Sequence, residues 1–599
     1  MEIKQKKRSE IPAEFKWKLE DIFATPEDWQ KGVDALPGVI AEVEAFRGKL
    51  KDGKTLLACA EAAQKAGNQV SKLYVYALMR LHEDSNVAAS QGMANVIQGA
   101  AAKAQAAVAF IEPEILELDE AEVKKFIANT PGLELYSQYL DNILRNKAHV
   151  LSAEIEEILA SASEVGQGAS NINDMLMSAD MKFGTITDEK GNTVELTMGK
   201  FISYMESSDR RVRMDTFNTF YDEFWKLKNT FATMLNTSIK SDIFFAKTRK
   251  YATARDAALS DYNIPASVYD SLVQTIHEFL PVMHRYMALR KKALKLDELH
   301  MYDLYTPIVE EADTKMSYAD AKKKLVEGLA PLGKDYLNEM AKGMESGWID
   351  VYENEGKQGG AYAWGTYGTH PFVLLNYDDK LGDLFTLAHE MGHAMHSFYT
   401  RNTQPMVYGS YTIFLAEVAS TVNETLLMEH MLKTTEDPKI RMYLLGEYIE
   451  QFRTTVFRQT MFAEFEHILH TMAEEGKPLI LESINKVYRD LNIKYYGPDV
   501  VIDEKIDLEW ARISHFYSAF YVYQYATGYS AAIAFTKRIK ELGEPAVKDY
   551  LEFLKSGNSD YSINILKKAG VDMSTPQPIR EALKVFEELV TQMEKVYEK

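Results

Sequence analysis

The stretch Thr386-Leu-Ala-His-Glu-Met-Gly-His-Ala-Met-His396 decides the reading of this chain, because it contains His389-Glu390-x-x-His393. On a helix, residues four apart lie one turn apart on one face, so both imidazoles reach a single ion. Glu390, rotated about 100° from His389, stands beside that ion. Leu384, Leu387, Ala388, Met391 and Met395 supply apolar helical positions, and the two variable positions of the pentad hold no proline. A buried helix that builds half of a hydrolytic zinc site is the expectation. The bland alternative is a pair of core histidines bonded to backbone carbonyls.

Zinc catalysis needs three protein ligands and one open position, so a third donor is expected downstream. A metzincin pattern would place Gly at 396 and His at 399, whereas the chain has His396 and Tyr399. A glutamate is required instead. Between His393 and residue 428 the only carboxylates are Glu417 and Glu424, in Phe414-Leu-Ala-Glu-Val-Ala-Ser-Thr-Val-Asn-Glu424. Phe414, Leu415, Val418 and Val422 mark this segment as a second buried helix, with its two carboxylates seven apart on nearly one face. Glu417 is read as the third metal ligand. Glu424 is read as the acceptor of a ligand histidine's N–H, which fixes that ring's tautomer. His396 lies about 10 Å along the helix axis from His389, too far to join one tetrahedral site, and is read as a packing residue.

These residues carry a family resemblance. The run His389-Glu-Met-Gly-His-Ala-Met-His-Ser397 followed by Glu417-Val-Ala-Ser-Thr-Val-Asn-Glu424 resembles the thimet-oligopeptidase superfamily of zinc peptidases, in its bacterial oligoendopeptidase F branch. Gly356-Lys-Gln-Gly-Gly-Ala-Tyr362, Thr369-His-Pro-Phe-Val-Leu-Leu-Asn-Tyr377, His515-Phe-Tyr-Ser-Ala-Phe-Tyr-Val-Tyr-Gln-Tyr-Ala-Thr-Gly528 and Lys568-Ala-Gly-Val-Asp-Met573 are similar to that branch too. The matches run from about residue 200 to the end, with a looser one at Trp17-Lys-Leu-Glu-Asp-Ile-Phe23. The resemblance implies a mainly α, two-lobed peptidase with a deep channel and a small β element near the active site, acting on short unfolded peptides. It implies one Zn2+ per chain on His389, His393 and Glu417, with Glu390 as general base. Its oxyanion-stabilising and substrate-binding histidine and tyrosines fall within His515 to Tyr525. His515, Tyr521 and Tyr523 are the catalytic candidates there, Tyr517 and Tyr525 the substrate-binding ones, and which tyrosine meets the oxyanion stays open.

With 599 residues, 46% hydrophobic and 26% charged, the composition is that of an ordinary globular protein with ample length for a large core. A net charge of -20 disfavours nucleic acid and anionic membranes as partners. The basic N-terminus, Met1-Glu-Ile-Lys-Gln-Lys-Lys-Arg-Ser-Glu10, is followed by no apolar signal region, and no run of eighteen apolar residues occurs. With Cys59 as its single cysteine, the chain is expected to be a cytoplasmic protein without disulfides. Its oligomeric state is not legible.

Helical periodicity dominates. Val70, Leu73, Tyr74, Ala77, Leu78 and Leu81 form one stripe, and Leu445, Ile449, Phe452 and Val456 another, both expected to be core. A last helix is expected from Thr575-Pro576 toward Tyr597. Phe183–Thr187 and Thr193–Thr197 flank a turn signature and read as a hairpin, from which a soft division into 1–180 and a catalytic 181–599 is drawn. Pro371–Tyr377 reads as a strand whose edge would pair with a peptide, while Gly359 and Gly360 allow close backbone approach. Such pairing reads little side-chain identity, so the expected function is internal cleavage of short peptides. The alternatives are an exopeptidase of dipeptidyl carboxypeptidase type on the same scaffold, or a peptide-binding protein without catalysis.

Overall fold

Residues 5–309 and 315–598 are described by the computed structural model, and they are predominantly helical with only short strands. The first four residues of the basic N-terminal stretch lie outside the described residues. No described helix is long and apolar enough to cross a membrane. The chain forms two units: Met1–Ala148 with Asp313–His430 and Phe535–Gly570, and His149–Ala312 with Met431–Ala534 and Val571–Lys599. This division differs from the expected 1–180 and 181–599, because each unit gathers segments distant in sequence that a cut in chain order cannot follow.

In the first unit, helix α1 (Pro26–Glu44) starts on Thr25, whose side chain accepts the Asp28 N–H, with proline at the first helical position. Helix α2 (Gly53–Glu83) starts on Asp52, which accepts the N–H groups of Lys54 and Thr55, both at 3.0 Å. Helix α3 (Ala88–Val108) packs against both. One apolar cluster joins Val39, Val43, Leu56, Cys59, Ile111 and Leu140, and a second joins Trp17, Trp29, Leu73, Tyr76, Phe372 and Leu374. Truncating a leucine such as Leu73, fully buried, to alanine is expected to cost about 2–5 kcal/mol. The stripe on α2 is only partly core: Leu73 and Ala77 are buried, but Val70 and Tyr74 line a cavity of about 750 Å³ that also touches Val43, Ala104 and Trp364. Periodicity marks which face is apolar, not whether a neighbour fills the space against it.

A three-stranded sheet in the same unit has the order β1 (Ile349–Asp350), β3 (Phe372–Leu374), β2 (Tyr362–Trp364). β3 pairs in parallel with β1 and antiparallel with β2, with Val373 opposite both Ile349 and Ala363. The expected edge at 371–377 is therefore corrected: its three strand residues form the fully buried centre, and β1 and β2 are the edge strands, the Val351 N–H at the end of β1 bonding the Phe15 carbonyl at 3.0 Å. Val373 and Leu375 donate their N–H groups toward β1, to the carbonyls of Trp348 and Asp350. By alternation Phe372 and Leu374 face β2, which turns the N–H and C=O of Ala363 to the open side.

The second unit holds the hairpin, Thr185–Thr187 against Thr193–Glu195. It is built mainly from helices Lys228–Thr248, Ala266–Ala293, Arg458–Glu474, Leu481–Tyr496 and Gln577–Tyr597, the last in the expected place. Leu445, Ile449, Phe452 and Val456 are all buried, though not along one continuous α-helix: Phe452–Phe457 is a π-helical turn between Pro438–Gln451 and Arg458–Glu474.

Candidate active site

Two helices of the first unit carry the metal-site candidates: α4 (Leu381–Thr403), with His389, Glu390 and His393, and α5 (Ile413–Thr434), with Glu417 and Glu424. Asp383 starts α4 by accepting the N–H groups of Asp378 and Lys380 at 2.8 and 3.0 Å. The two helices meet at Gly392, where a Cβ would stand 2.5 Å from the Ser420 Cα, so only glycine permits this approach. Buried Asn423 then ties them together, donating to the Ala388 carbonyl at 3.2 Å and accepting from the Tyr336 hydroxyl at 3.0 Å. This crossing delivers both glutamates of α5 to the histidines of α4.

The Nε2 atoms of His389 and His393 are 3.1 Å apart, and the Glu417 Oε2 lies 3.4 Å from the first and 3.6 Å from the second. In a tetrahedral site with bonds near 2.0–2.1 Å, ligand atoms stand about 3.3 Å from one another, so this donor set fits zinc. His389 donates its Nδ1–H to Glu424, which leaves the Nε2 lone pair turned toward the other two donors. Burial alone would lower the His389 imidazole, but the bond to Glu424 and the nearby Glu390 and Glu417 outweigh it and hold it at about 9. Burial also raises the Glu417 carboxyl, yet His393 and His389 keep it below its ordinary value. The site is thus built to attract and hold a cation.

Glu390 is 7% exposed and its Oε2 has no hydrogen-bond partner. Burial pushes its carboxyl up, against the pull of His389 and His393, which suits a group that takes and returns a proton. His396 stacks face to face on Tyr411 at 3.7 Å between ring centres and touches Phe553, and neither ring nitrogen has a partner. Burial drives its imidazole down to about 3, so it packs as a neutral ring.

Gly359 and Gly360 lie in the exposed turn before β2, with open space where a Cβ would stand. Gly360 has φ +80, which only glycine adopts freely, and Asn376 clamps the turn by donating to the carbonyls of Gln358 and Gly360 at 3.0 and 2.8 Å.

His515, Tyr517, Tyr521, Tyr523 and Tyr525 all fall in the second unit. The segment that carries them is a 3-10 turn, Ser514–Tyr517, and a loop that enters the helix Tyr523–Leu542. The His515 Nε2 is 3.2 Å from the Tyr525 hydroxyl, and the Tyr521 ring stacks beside His515 at 5.9 Å. These three form one partly exposed group. Tyr517 is half-buried, and burial raises its phenol. Tyr523 departs from the expectation of a catalytic tyrosine: it is 2% exposed with its ring against Tyr269, because the loop turns the side chain that follows Val522 inward.

The profile of Peptidase family M3 matches residues 203–585, and that of Oligopeptidase F matches residues 114–183. The chain belongs to peptidase family M3. Oligopeptidase PepF of Bacillus subtilis is 49% identical over 590 residues, covering 98% of this chain and 88% of that protein. Group B oligopeptidase PepB of Streptococcus agalactiae is 43% identical over 594 residues, covering 99% and 98%. The crystal structure of oligoendopeptidase-F from Enterococcus faecium matches with a TM-score of 0.74 at 39% identity, covering 95% and 98% of the two chains. As an M3 family member the protein is a peptidase.

Several residues that shape this M3 site escape sequence reading. Gly392 and Asn423 matter only because α4 and α5 cross where they stand. Lys357, its side chain fully buried, binds the Asp350 carboxylate at 2.8 Å and the carbonyls of Tyr352 and Leu375 at 2.7 and 2.5 Å, joining the ends of β1 and β3 beneath the glycine turn. In the sequence it reads as one more surface lysine.

Proposed function

We propose that this M3 peptidase is a zinc-dependent endopeptidase that hydrolyses internal bonds of short, unstructured oligopeptides in the cytoplasm. The observation that carries this reading is the convergence of His389, His393 and Glu417 on one point, with Glu390, its Oε2 unpartnered, close enough to interact with all three. A zinc ion held there supplies Lewis-acid polarisation of a carbonyl and acidifies bound water. Glu390 accepts the proton of the attacking water and delivers it to the leaving amine. Glu424 holds the His389 ring so that its Nε2 keeps its direction through the cycle.

The open side of β2 supports the binding half of this reading. An extended peptide pairs with the N–H and C=O of Ala363, while Gly359 and Gly360 leave its backbone room to approach. Main-chain pairing of this kind recognises an extended chain and excludes a folded one. His515, with Tyr521 and Tyr525 beside it, is the candidate donor to the oxyanion, and Tyr517 a candidate wall of the substrate site.

The test measures metal content and hydrolysis of an internally quenched peptide blocked at both ends, for wild type beside Glu390→Gln. One zinc per chain with internal cleavage, and a variant that keeps its zinc while losing about 10²–10⁴-fold in turnover, is the expected outcome. Cleavage only of peptides with a free terminus would replace the endopeptidase reading with an exopeptidase. Zinc binding without cleavage of any peptide in a mixed library would leave a binding protein.

A further inference from the structure

Glu466 has no part in the chemistry above, yet it is a buried acid on helix Arg458–Glu474, 3% exposed. Its Oε1 accepts the backbone N–H of Phe520 at 2.7 Å, and its Oε2 is buried without a partner. Phe520 has φ +54, a left-handed conformation that a side chain with a Cβ adopts only when its surroundings impose it. Those surroundings are the Glu466 carboxyl on the amide and a pocket for the ring, which lies 4.6 Å from His470 and 5.9 Å from Tyr269. His470 is itself fixed, with Nδ1 on the Glu466 carbonyl at 2.9 Å and Nε2 on Asp242 at 3.2 Å.

The left-handed residue lies between the two parts of the exposed group. Before it, Ser514–Tyr517 carries His515, and the Ser518 N–H bonds the His515 carbonyl at 2.9 Å. After it, the Tyr521 N–H bonds the Ser518 carbonyl at 3.3 Å and the Gln524 N–H bonds the Tyr521 carbonyl at 3.2 Å, which leads to Tyr525. Reversing the backbone at Phe520 brings the Tyr521 and Tyr525 side chains back to His515. A carboxyl kept in the interior with one oxygen unpaired is costly, and an apolar side chain of similar size would pack there without that cost. Packing therefore does not account for it.

We infer that Glu466 is a positioning residue: by holding the Phe520 amide it imposes the left-handed turn that sets His515, Tyr521 and Tyr525 in one arrangement, without touching substrate. This deepens the proposed function and rests on the reading that these three side chains face the peptide. Displacing such a group by about 1 Å lowers turnover on the order of 10²-fold.

Two readouts on the zinc-loaded full chain test it: peptide turnover, and amide hydrogen exchange across residues 514–525, which needs no activity. Glu466→Leu removes the acceptor, whereas Glu466→Gln retains a carbonyl in its place. The Leu variant is expected to exchange faster across 518–525 and to lose roughly 10- to 100-fold in kcat with little change in KM. The Gln variant is expected to keep the exchange pattern and most of kcat. If Leu does not fold, Glu466→Asp, one methylene too short to reach Phe520, takes its place with the same pattern expected. Faster exchange with unchanged kcat supports the positioning role and counts instead against His515, Tyr521 and Tyr525 as working groups. Unchanged exchange and kcat in the Leu or Asp variant overturns the inference, as does a Gln variant damaged as much as Leu.

Discussion

Glu424 and His389 stand on different helices and meet through one bond, the Nδ1–H of the histidine donating to the carboxylate. That bond decides which nitrogen of His389 is left for a metal. It exists because α4 and α5 approach closely enough at Gly392 for a residue 35 positions away to reach the ring.

Replacing Glu424 by alanine removes the acceptor and leaves the three donor atoms in place. Metal affinity, measured by competition with a chelator, is expected to fall about 10- to 100-fold while the folded protein persists. Unchanged affinity would mean that His389 is oriented by something other than Glu424.

Ala363→Pro deletes the one backbone N–H that β2 offers at its centre on the free edge. Proline is tolerated on an edge strand when its missing N–H faces outward, so the protein is expected to fold and keep its zinc. Losing one hydrogen bond to the peptide backbone, about 0.5–1.5 kcal/mol, raises KM roughly two- to tenfold. A KM equal to that of wild type would remove strand pairing at β2 from the account of substrate binding.

His396→Phe preserves the ring stacked on Tyr411 and removes two buried nitrogens that have no partners. Metal stoichiometry is expected to be unchanged and thermal stability equal or higher. Zinc loss in this variant would make His396 a ligand and dissolve the three-donor site.

Burial raises the Glu466 carboxyl from its ordinary value to about 8, with Asp242 raising it further and His470 and the Phe520 amide opposing. Tyr269, from the helix packed alongside, is the other titratable group whose phenol feels this carboxyl, and its own value is pushed well up by burial. A carboxyl raised on folding makes the native state bind the extra proton, so its stability is complete at low pH and declines as pH rises from about 4.5 through 8. Glu466→Gln abolishes that decline. The difference in unfolding free energy between the Gln variant and wild type is expected to move in favour of Gln by about 1 kcal/mol or more between pH 5 and 8, which for a chain of this length is about 1 °C in Tm per kcal/mol. Parallel pH profiles for the two proteins would show that Glu466 does not titrate in this range.

The grouping of His389, His393 and Glu417 was legible because its information is local. His389 and His393 share a face through helical spacing alone, and the two carboxylates in the next 35 residues left a short list for the third ligand. The mainly helical fold was legible for the same reason, since apolar periodicity is a property of each segment. Tyr523 and the 371–377 strand were misread where the outcome depends on neighbours. A strand's sequence does not say whether it lies at the centre or the edge, and β3 is central because β1 and β2 come to it from either side. Tyr523 is buried with its ring against Tyr269, which belongs to a segment far away in the chain.

The sequence by itself determined which residue types could hold a metal and move a proton, because that chemistry follows from side chains spaced along one helix. Only the tertiary structure decided which strands lie at the sheet's edges, which ring packs neutral in the core, and which buried acid meets the Phe520 amide. Each of these is set by the approach of segments far apart in the chain, where packing and desolvation outweigh local preference.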